Sequence, residues 1–268
     1  MKEIAFYKIA AAGNDFVVVD NRKKVIPNPV DFAREVCPRH TGIGGDGVLL
    51  VENSKQADYK MRIFNADGSE AEACGNGFRC ISLLAHERLG FPAHQRFESL
   101  AGLIDADVKK DRVRARLMDP RDYEEGQKIE VLGRELGFSF IRVGVPHVVI
   151  FVEGLARLPV LEIGRAVRFH PHFKPAGTNV NFVEVTGPDS IEVETYERGV
   201  EENTQACGTG STASAIVSAK AGHVKPPVRV KTRGGEILTI DFKIQGSRIQ
   251  EVFLEGEVRL VYEGKIAL

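Results

Sequence analysis

The motif Ala73-Cys74-Gly75-Asn76-Gly77 recurs as Ala206-Cys207-Gly208-Thr209-Gly210, 133 residues later and about half the chain away. Each copy follows a strand-like run and a polar loop, and each opens a helix-like stretch. The repeat extends upstream. Gly44-Gly45-Asp46 and Val48–Val51 fall on Gly177-Thr178-Asn179 and the run from Asn181 to Glu184, and a strand ending at Asn65 falls on one ending at Arg198. Gly13-Asn14-Asp15-Phe16-Val17 falls on Gly144-Val145-Pro146-His147-Val148 at an offset of 131. Four blocks in order at near-constant spacing define two similar halves.

Short β-branched runs dominate between these blocks: 4–9, 16–19, 48–51, 59–64, 104–108, 112–117, 138–143, 148–152, 180–185, 191–196, 228–232, 236–242 and 249–254. Two long helices stand out. One covers 77–89, closed by Gly90 with Pro92 beyond it, and the other covers 210–221. Ile81, Leu83, Leu84 and Ala85 in the first, and Ala213, Ala215, Ile216 and Val217 in the second, spread apolar residues around most of the helix, as a core helix requires. The strand-to-strand rhythm is not that of a Rossmann sheet. The expected fold class is α+β: two pseudo-symmetric halves, each a curved, mostly antiparallel, barrel-like sheet around a central buried helix. The expected domains are 1–118, joined by a last strand at about 257–268, and 119–256, with an active site in the cleft between them.

Composition narrows the function classes. With 36 Lys and Arg against 37 Asp and Glu, the net charge of −1 gives no broad attraction to nucleic acid or anionic lipid. No apolar run approaches the roughly 20 residues that span a bilayer, and Met1–Phe6 lacks the apolar core of a signal peptide. Four cysteines are too few for a disulfide scaffold. The expectation is a cytoplasmic protein with reduced thiols and neither nucleic acid nor membrane as a partner.

The thiols of Cys74 and Cys207 then need a chemical reason. At a helix N-terminus the backbone N–H groups favour negative charge, which can lower the pKa of a thiol there and hold an anionic group such as a carboxylate. Two opposed thiols suit inversion of a carbon acid: one removes a proton from one face and the other returns a proton to the opposite face. N–H donors would stabilise the carbanion as it spreads onto the carboxylate.

The stretch Met61–Cys80, reading Met-Arg-Ile-Phe-Asn-Ala-Asp-Gly-Ser-Glu-Ala-Glu-Ala-Cys-Gly-Asn-Gly-Phe-Arg-Cys, resembles the first signature of the diaminopimelate epimerase family. Tyr196-Glu197-Arg198-Gly199 with Gln205–Gly210 resembles the second. Gly13–Phe16, Arg39–Gly44, Pro146-His147 and Gly177–Phe182 also match in order, so the resemblance covers nearly the whole chain. It implies interconversion of LL- and meso-diaminopimelate in lysine biosynthesis, without pyridoxal phosphate, metal or nucleotide. Cys74 and Cys207 would be the acid/base thiols. Gly75, Asn76, Gly208 and Thr209 would hold the reacting carboxylate. Asn14, Asn65, Asn179, Glu197 and Arg198 would line the rest of the substrate pocket, with Arg198 suited to a carboxylate and Glu197 to an ammonium. His147 and Glu197 would tune the thiols. A homodimer is also implied.

Two positions depart from many members: Val145 stands where they carry Asn, and Gly47 where some carry Gln. A racemase of another amino acid, such as histidine, on the same fold is therefore the first alternative. A non-catalytic redox protein using the same two thiols is the second. Other residues have plainer readings. Cys37 and Cys80 read as buried small hydrophobes. His170-Pro171-His172 reads as a solvated loop, and His40, His86, His94 and His223 show no partner pattern. The run Gly42–Gly47 precedes a strand rather than a helix, against a phosphate loop.

Overall fold

The computed structural model describes residues 3–267. The chain divides into two compact units, one running to Arg116 and resuming at Glu255, the other spanning Leu117–Leu254. In the first, β1 (Glu3–Ala11) and β2 (Asn14–Asp20) form a hairpin with Ala11 opposite Asn14. Its turn residues Ala12 and Gly13 have φ of +46° and +81°, the pair of positive angles that matches the twist of the flanking strands. A short helix, α1 (Pro29–Val36), leads to β3 (Gly47–Glu52), parallel to β2. β4 (Tyr59–Asn65) returns antiparallel, and β5 (Glu70–Ala71) folds back onto it. Helix α2 (Gly75–Leu89) then crosses to β6 (His94–Ser99), parallel to β4, followed antiparallel by β7 (Gly102–Lys109) and β8 (Arg112–Arg116).

The second unit repeats this path. After β9 (Arg121–Val131) come the antiparallel pair β10 (Arg134–Val143) and β11 (Val145–Phe151), then α3 (Val160–Arg168). β12 (Asn179–Gly187) lies parallel to β11; β13 (Ser190–Glu197) and β14 (Glu202–Thr204) follow antiparallel. Helix α4 (Gly208–Lys220) crosses to β15 (Val228–Thr232), parallel to β13, with β16 (Ile237–Gln245) antiparallel beside it. β17 (Arg248–Glu257) leads to β18 (Arg259–Ala267), which pairs with β1 as β9 pairs with β10.

Each central helix is walled by its own sheet. α2 packs against β1, β2, β3, β7 and β8; α4 packs against β10 to β13, β15 and β16. Gly75–Ala85 and Gly210–Ser218 are buried without interruption. Gly90 closes α2 in the left-handed conformation at φ +81°, as a C-terminal glycine does. Among the described residues no helix is long and apolar enough to cross a membrane.

The strand register refines the repeat. Val17 pairs with Val48 and Val148 with Val180; Phe64 lies opposite Val48 and Tyr196 opposite Val180. Phe16, Gly47, Leu49, Ile63 and Asn65 are thus the counterparts of His147, Asn179, Asn181, Thr195 and Glu197. The offset grows from 131 at the hairpin to 132 in the next strand pair and 133 at the helix, because each of two connections is one residue longer in the second half. The expected alignment of Asn65 with Arg198 and of Gly44–Asp46 with Gly177–Asn179 is therefore one residue out, and β13 ends at Glu197.

Two helices lie outside the sequence expectation. In α1, Asn28 caps the N-terminus by accepting from the Asp31 N–H, and Pro29 follows it. Phe32, Ala33 and Val36 bury against Val17, Val19, Leu50 and Phe64. Helix α3 has no side-chain cap and presents Val160, Gly164 and Val167 to the sheet of its own unit, packed with Val148, Phe182 and Tyr196. A Cβ at Gly164 would stand 2.5 Å from Cβ of Tyr196. Gly164→Ala is therefore expected to destabilise the fold by about 1–3 kcal/mol, read as a lower denaturant midpoint. An unchanged midpoint would show that α3 can move off Tyr196 at no cost.

Candidate active site

Both repeated cysteines are helix N-caps with extended backbone, at φ/ψ −151°/111° for Cys74 and −128°/110° for Cys207. Each Sγ accepts the N–H three residues on, from Gly77 and Gly210, at 3.3 Å. The first N–H groups of a helix have no intrahelical partner. With the third taken by sulfur, Gly75 and Asn76 in one half, and Gly208 and Thr209 in the other, carry the N–H groups that a bound carboxylate can take. The Thr209 hydroxyl lies 3.5 Å from the Cys207 sulfur.

Around Cys74 the surroundings divide. Under the helix turn the strands present apolar side chains: a Cβ at Gly77 would meet Met61 and Leu49. Beside it runs a directed polar chain. Asn14 Nδ2 donates to Asp46 at 2.9 Å, Asn76 Nδ2 donates to Asn14 Oδ1 at 2.8 Å and to the Ala12 carbonyl at 3.4 Å, and buried Arg79 donates to Asn76 Oδ1 at 2.6 Å. Arg39 grips Asp15 with two hydrogen bonds and also reaches Asp46, while buried Lys8 pairs with Asp15 at 2.7 Å and donates to the Gly44 carbonyl. Burial pushes the Asp15 carboxyl up, but the hydrogen bonds and charges of Arg39 and Lys8 outweigh it and bring it down to about 2.

Around Cys207 the strands present polar side chains instead. Fully buried His147 meets Asn181 Nδ2 at 3.2 Å through Nδ1; the same amide donates to the Val148 carbonyl at 2.8 Å and accepts from the Thr195 hydroxyl at 3.0 Å. Burial, helped by the charge of Arg198 and opposed by Asn181, lowers the imidazole to about 3, so it is neutral. Asn179 donates to the Pro146 carbonyl and accepts the Arg198 N–H at 2.8 Å; the Arg198 guanidinium donates to the Ala176 carbonyl at 3.1 Å. Glu197 ends β13 opposite Glu202.

The expected site residues thus gather by half. Asn14, Gly75 and Asn76 adjoin Cys74; His147, Asn179, Glu197, Arg198, Gly208 and Thr209 belong to the Cys207 half. The Asn76 side chain faces inward, so its backbone N–H rather than its amide is what the helix end offers. Asn65 ends β4, and its amide is engaged with the Ser69 hydroxyl at 2.9 Å. A Cβ at Gly47 would lie 2.5 Å from the Phe64 carbonyl oxygen, so the backbone here leaves no room for a longer residue. Val145, the counterpart of Asn14, begins β11 and is half-buried. Cys37 sits in the apolar layer under α1, where burial pushes its thiol up to about 11. Cys80 is buried within α2. His170 and His172 are bonded to each other within one exposed turn, and among the described residues no group of three or more His, Cys, Asp or Glu could hold a metal ion. Sequence reasoning did not single out Asp46, Arg79, Asn181 or Thr195. Asn181 carried a signal, since it interrupts the apolar run from Val180 to Val183 in a buried strand.

The fold is shared with solved structures of very different sequence. A PhzF-family phenazine biosynthesis protein from Bacillus anthracis has a TM-score of 0.73 at 16% identity, covering 100% of both chains. A hydroxyproline epimerase from Agrobacterium vitis gives 0.73 at 18%, covering 100% of this chain and 92% of that one. These define a class of two-fold repeated α+β proteins. Within it, a sequence model described as Diaminopimelate epimerase matches residues 6–121 and 139–261. The diaminopimelate epimerase of Aquifex aeolicus is 47% identical over 98% of this chain and 97% of its own, and that of Chlorobaculum tepidum 40% over 97% and 100%. The chain belongs to the diaminopimelate epimerase family.

The neutral His147 has a consequence for acid stability. Its imidazole lies near 3 in the fold but near 6.5 once exposed, so below about 6.5 the unfolded chain binds more protons and stability falls as pH drops towards 3. Asp15 adds a further loss from about 3.8 towards 2. Exposed His94, raised by its hydrogen bond to Asp107, acts weakly in the opposite sense. Between pH 6.5 and 4.5 the His147 effect has a ceiling of ~1.4 kcal/mol per pH unit. His147→Gln is expected to flatten that part of the stability curve in denaturant titrations; an unaltered slope would place the imidazole in contact with solvent.

Proposed function

We propose that the protein interconverts LL- and meso-diaminopimelate, the isomerase activity that gives its family its name, as a step of lysine biosynthesis. The observation that carries this is the repeated arrangement of a cysteine N-cap followed by two N–H groups with no intrahelical partner, in a family member matched almost end to end. In this reading Cys74 and Cys207 act as a pair on one α-carbon. A thiolate takes the α-proton from one face while the electron pair spreads onto the adjoining carboxylate. The thiol on the other face then delivers its own proton to that carbon, so the two sulfurs exchange protonation states in each turnover. The N–H groups of Gly75, Asn76, Gly208 and Thr209 receive the carboxylate, whose charge grows as the proton leaves. Arg198 supplies donors for a carboxylate and Glu197 an acceptor for an ammonium. A cytoplasmic homodimer acting without an added cofactor completes the proposal, and light scattering tests its assembly.

Val145 and Gly47 favour one competing substrate class. Val145 removes a side-chain amide where many members carry one, and the backbone at Gly47 admits no replacement. A racemase of another amino acid, such as histidine, follows if the distal amino-acid group goes unrecognised.

Proton NMR in D₂O under reducing conditions separates these readings. Incubation with LL-diaminopimelate is expected to erase its α-proton signal as the meso isomer appears. Exchange confined to L-histidine or another member of an amino-acid panel would keep the chemistry and reassign the substrate. No exchange in any, with both thiols titrated as reduced, would leave a non-catalytic thiol protein. Cys74→Ala and Cys207→Ala are each expected to lower turnover by at least about 10²–10⁴-fold; near-normal turnover in either would refute the paired mechanism.

A further inference from the structure

Among the strand residues under the two helix turns, His147, Asn181 and Thr195 stand where the first half has Phe16, Leu49 and Ile63, which are apolar and buried. The polar group lies directly under the Cys207 turn. A Cβ at Gly210 would stand 2.3 Å from Asn181 Oδ1, 3.1 Å from the Thr195 hydroxyl and 3.2 Å from Cβ of Cys207. Asn181 sits mid-strand among valines and phenylalanine, where an amide is retained only if its hydrogen bonds are met.

The direction of each bond follows from the partners. The Val148 carbonyl can only accept, so the edge of Asn181 facing it must be Nδ2. That places Oδ1 towards Thr195, whose hydroxyl must donate to it. The same Nδ2 then points its second proton at His147 Nδ1, 3.2 Å away. A neutral imidazole has one donor and one acceptor nitrogen. With Nδ1 accepting, the ring proton belongs on Nε2. That atom is buried and, among the described residues, has no hydrogen-bond partner.

We infer that Thr195 and Asn181 are positioning residues that hold His147 as the neutral Nε2–H tautomer, so that this half of the site keeps a buried N–H donor for an anionic acceptor, a ligand carboxylate oxygen or a sulfur. The ring is then a hydrogen-bond donor and not a proton acceptor in the resting protein. Its low imidazole pKa is in keeping with a neutral ring, which has a single N–H donor whose place the hydrogen bonds then decide. The tautomer itself does not depend on the reaction proposed above; its effect on turnover does.

The test is ¹⁵N–¹H correlation NMR of the whole protein labelled at histidine nitrogen, without substrate, with His147 assigned by comparison with His147→Gln. The wild-type ring is expected to show a protonated, pyrrole-like Nε2 and a bare, pyridine-like Nδ1, unchanged from pH 6 to pH 8. A protonated Nδ1, or an imidazolium within that range, would overturn the assignment. Asn181→Asp replaces the donor by an acceptor and is expected to move the proton to Nδ1 or to charge the ring. Persistence of the wild-type pattern in that variant would show that Asn181 does not set the tautomer. If Asn181→Asp fails to fold, Asn181→Leu, which copies Leu49 of the other half, serves instead. Its two ring nitrogens are expected to shift towards averaged values, and a pattern identical to wild type overturns the inference. With diaminopimelate as the probe, Asn181→Asp is expected to lower kcat at least 10-fold and Thr195→Ser to restore what Thr195→Val loses. A tautomer that changes as expected with no change in turnover would leave the geometry standing and remove the functional reading alone.

Discussion

A sulfur atom in the place of a helix cap is the contact from which the site is built. Ser, Thr, Asp and Asn are the usual caps because a side-chain oxygen accepts well from a backbone N–H. Here Cys74 and Cys207 take that role, each receiving a glycine N–H at 3.3 Å. The contact needs the third helical residue to be small, because its Cβ would press on the strands beneath: on Met61 and Leu49 at Gly77, on Asn181 and Thr195 at Gly210. It also needs the helix end to be fixed in space. Both helices are buried over most of their length and walled by strands on several sides, so neither can slide along its axis without breaking core contacts. The sheet thus decides where the sulfur sits, and the helix decides which N–H groups stand beside it.

The two halves share this backbone and differ in what backs it. In the first half the strand residues under the turn are apolar, and the polar side chains come from the hairpin and from the helix itself. In the second the strands supply a buried imidazole, an amide and a hydroxyl. The repeat therefore conserves the positions of sulfur and N–H groups and varies the side chains around them.

The sequence made the repeat, the two central helices, most strands and both cysteine caps legible, because these rest on local rules: glycine spacing, β-branched runs, and apolar residues all round a helix. What it hid has a physical reason. Helix α3 has nine residues, no side-chain cap, and a glycine at its closest approach to Tyr196, so neither length nor a start signal announces it. Helix α1 did carry a signal, Asn28-Pro29 followed by Asp31 and then Phe32, Ala33 and Val36 on one face, but its eight residues are short for a helix read from sequence. Strand β9 alternates poorly because most of its residues are exposed. The polar partners Asp46, Asn181 and Thr195 are separated in sequence from the residues they hold, by up to 34 positions for His147 and Asn181. Only folding brings them together. The offset itself drifted by one residue at each of two connections, which no single spacing reveals.

Both polar chains are directional, and for the same reason. In the first half the chain starts at Asp46, which can only accept, and ends at Arg79, which can only donate. Asn14 must therefore turn its Nδ2 to Asp46 and its Oδ1 to Asn76, and Asn76 must turn its Oδ1 to Arg79. Neither amide can flip without setting two like groups against each other. In the second half the Val148 carbonyl plays the part of Asp46 and fixes Asn181 in the same way. The ion pairs of Asp15 with Lys8 and Arg39 lie behind the first chain and hold the hairpin that carries Asn14. Lys8 is buried while Arg39 is exposed, so it is the loss of Asp15 that would be costly, by leaving a buried ammonium without its partner. Once both chains are anchored, the uncommitted groups they leave are donors: the second amide proton of Asn14, the ring N–H of His147 and the N–H groups at two helix ends. Each half thus turns these acceptors inward and leaves donors at its own helix end, an arrangement that favours an anion, and most an anion whose charge grows as a proton leaves the neighbouring carbon.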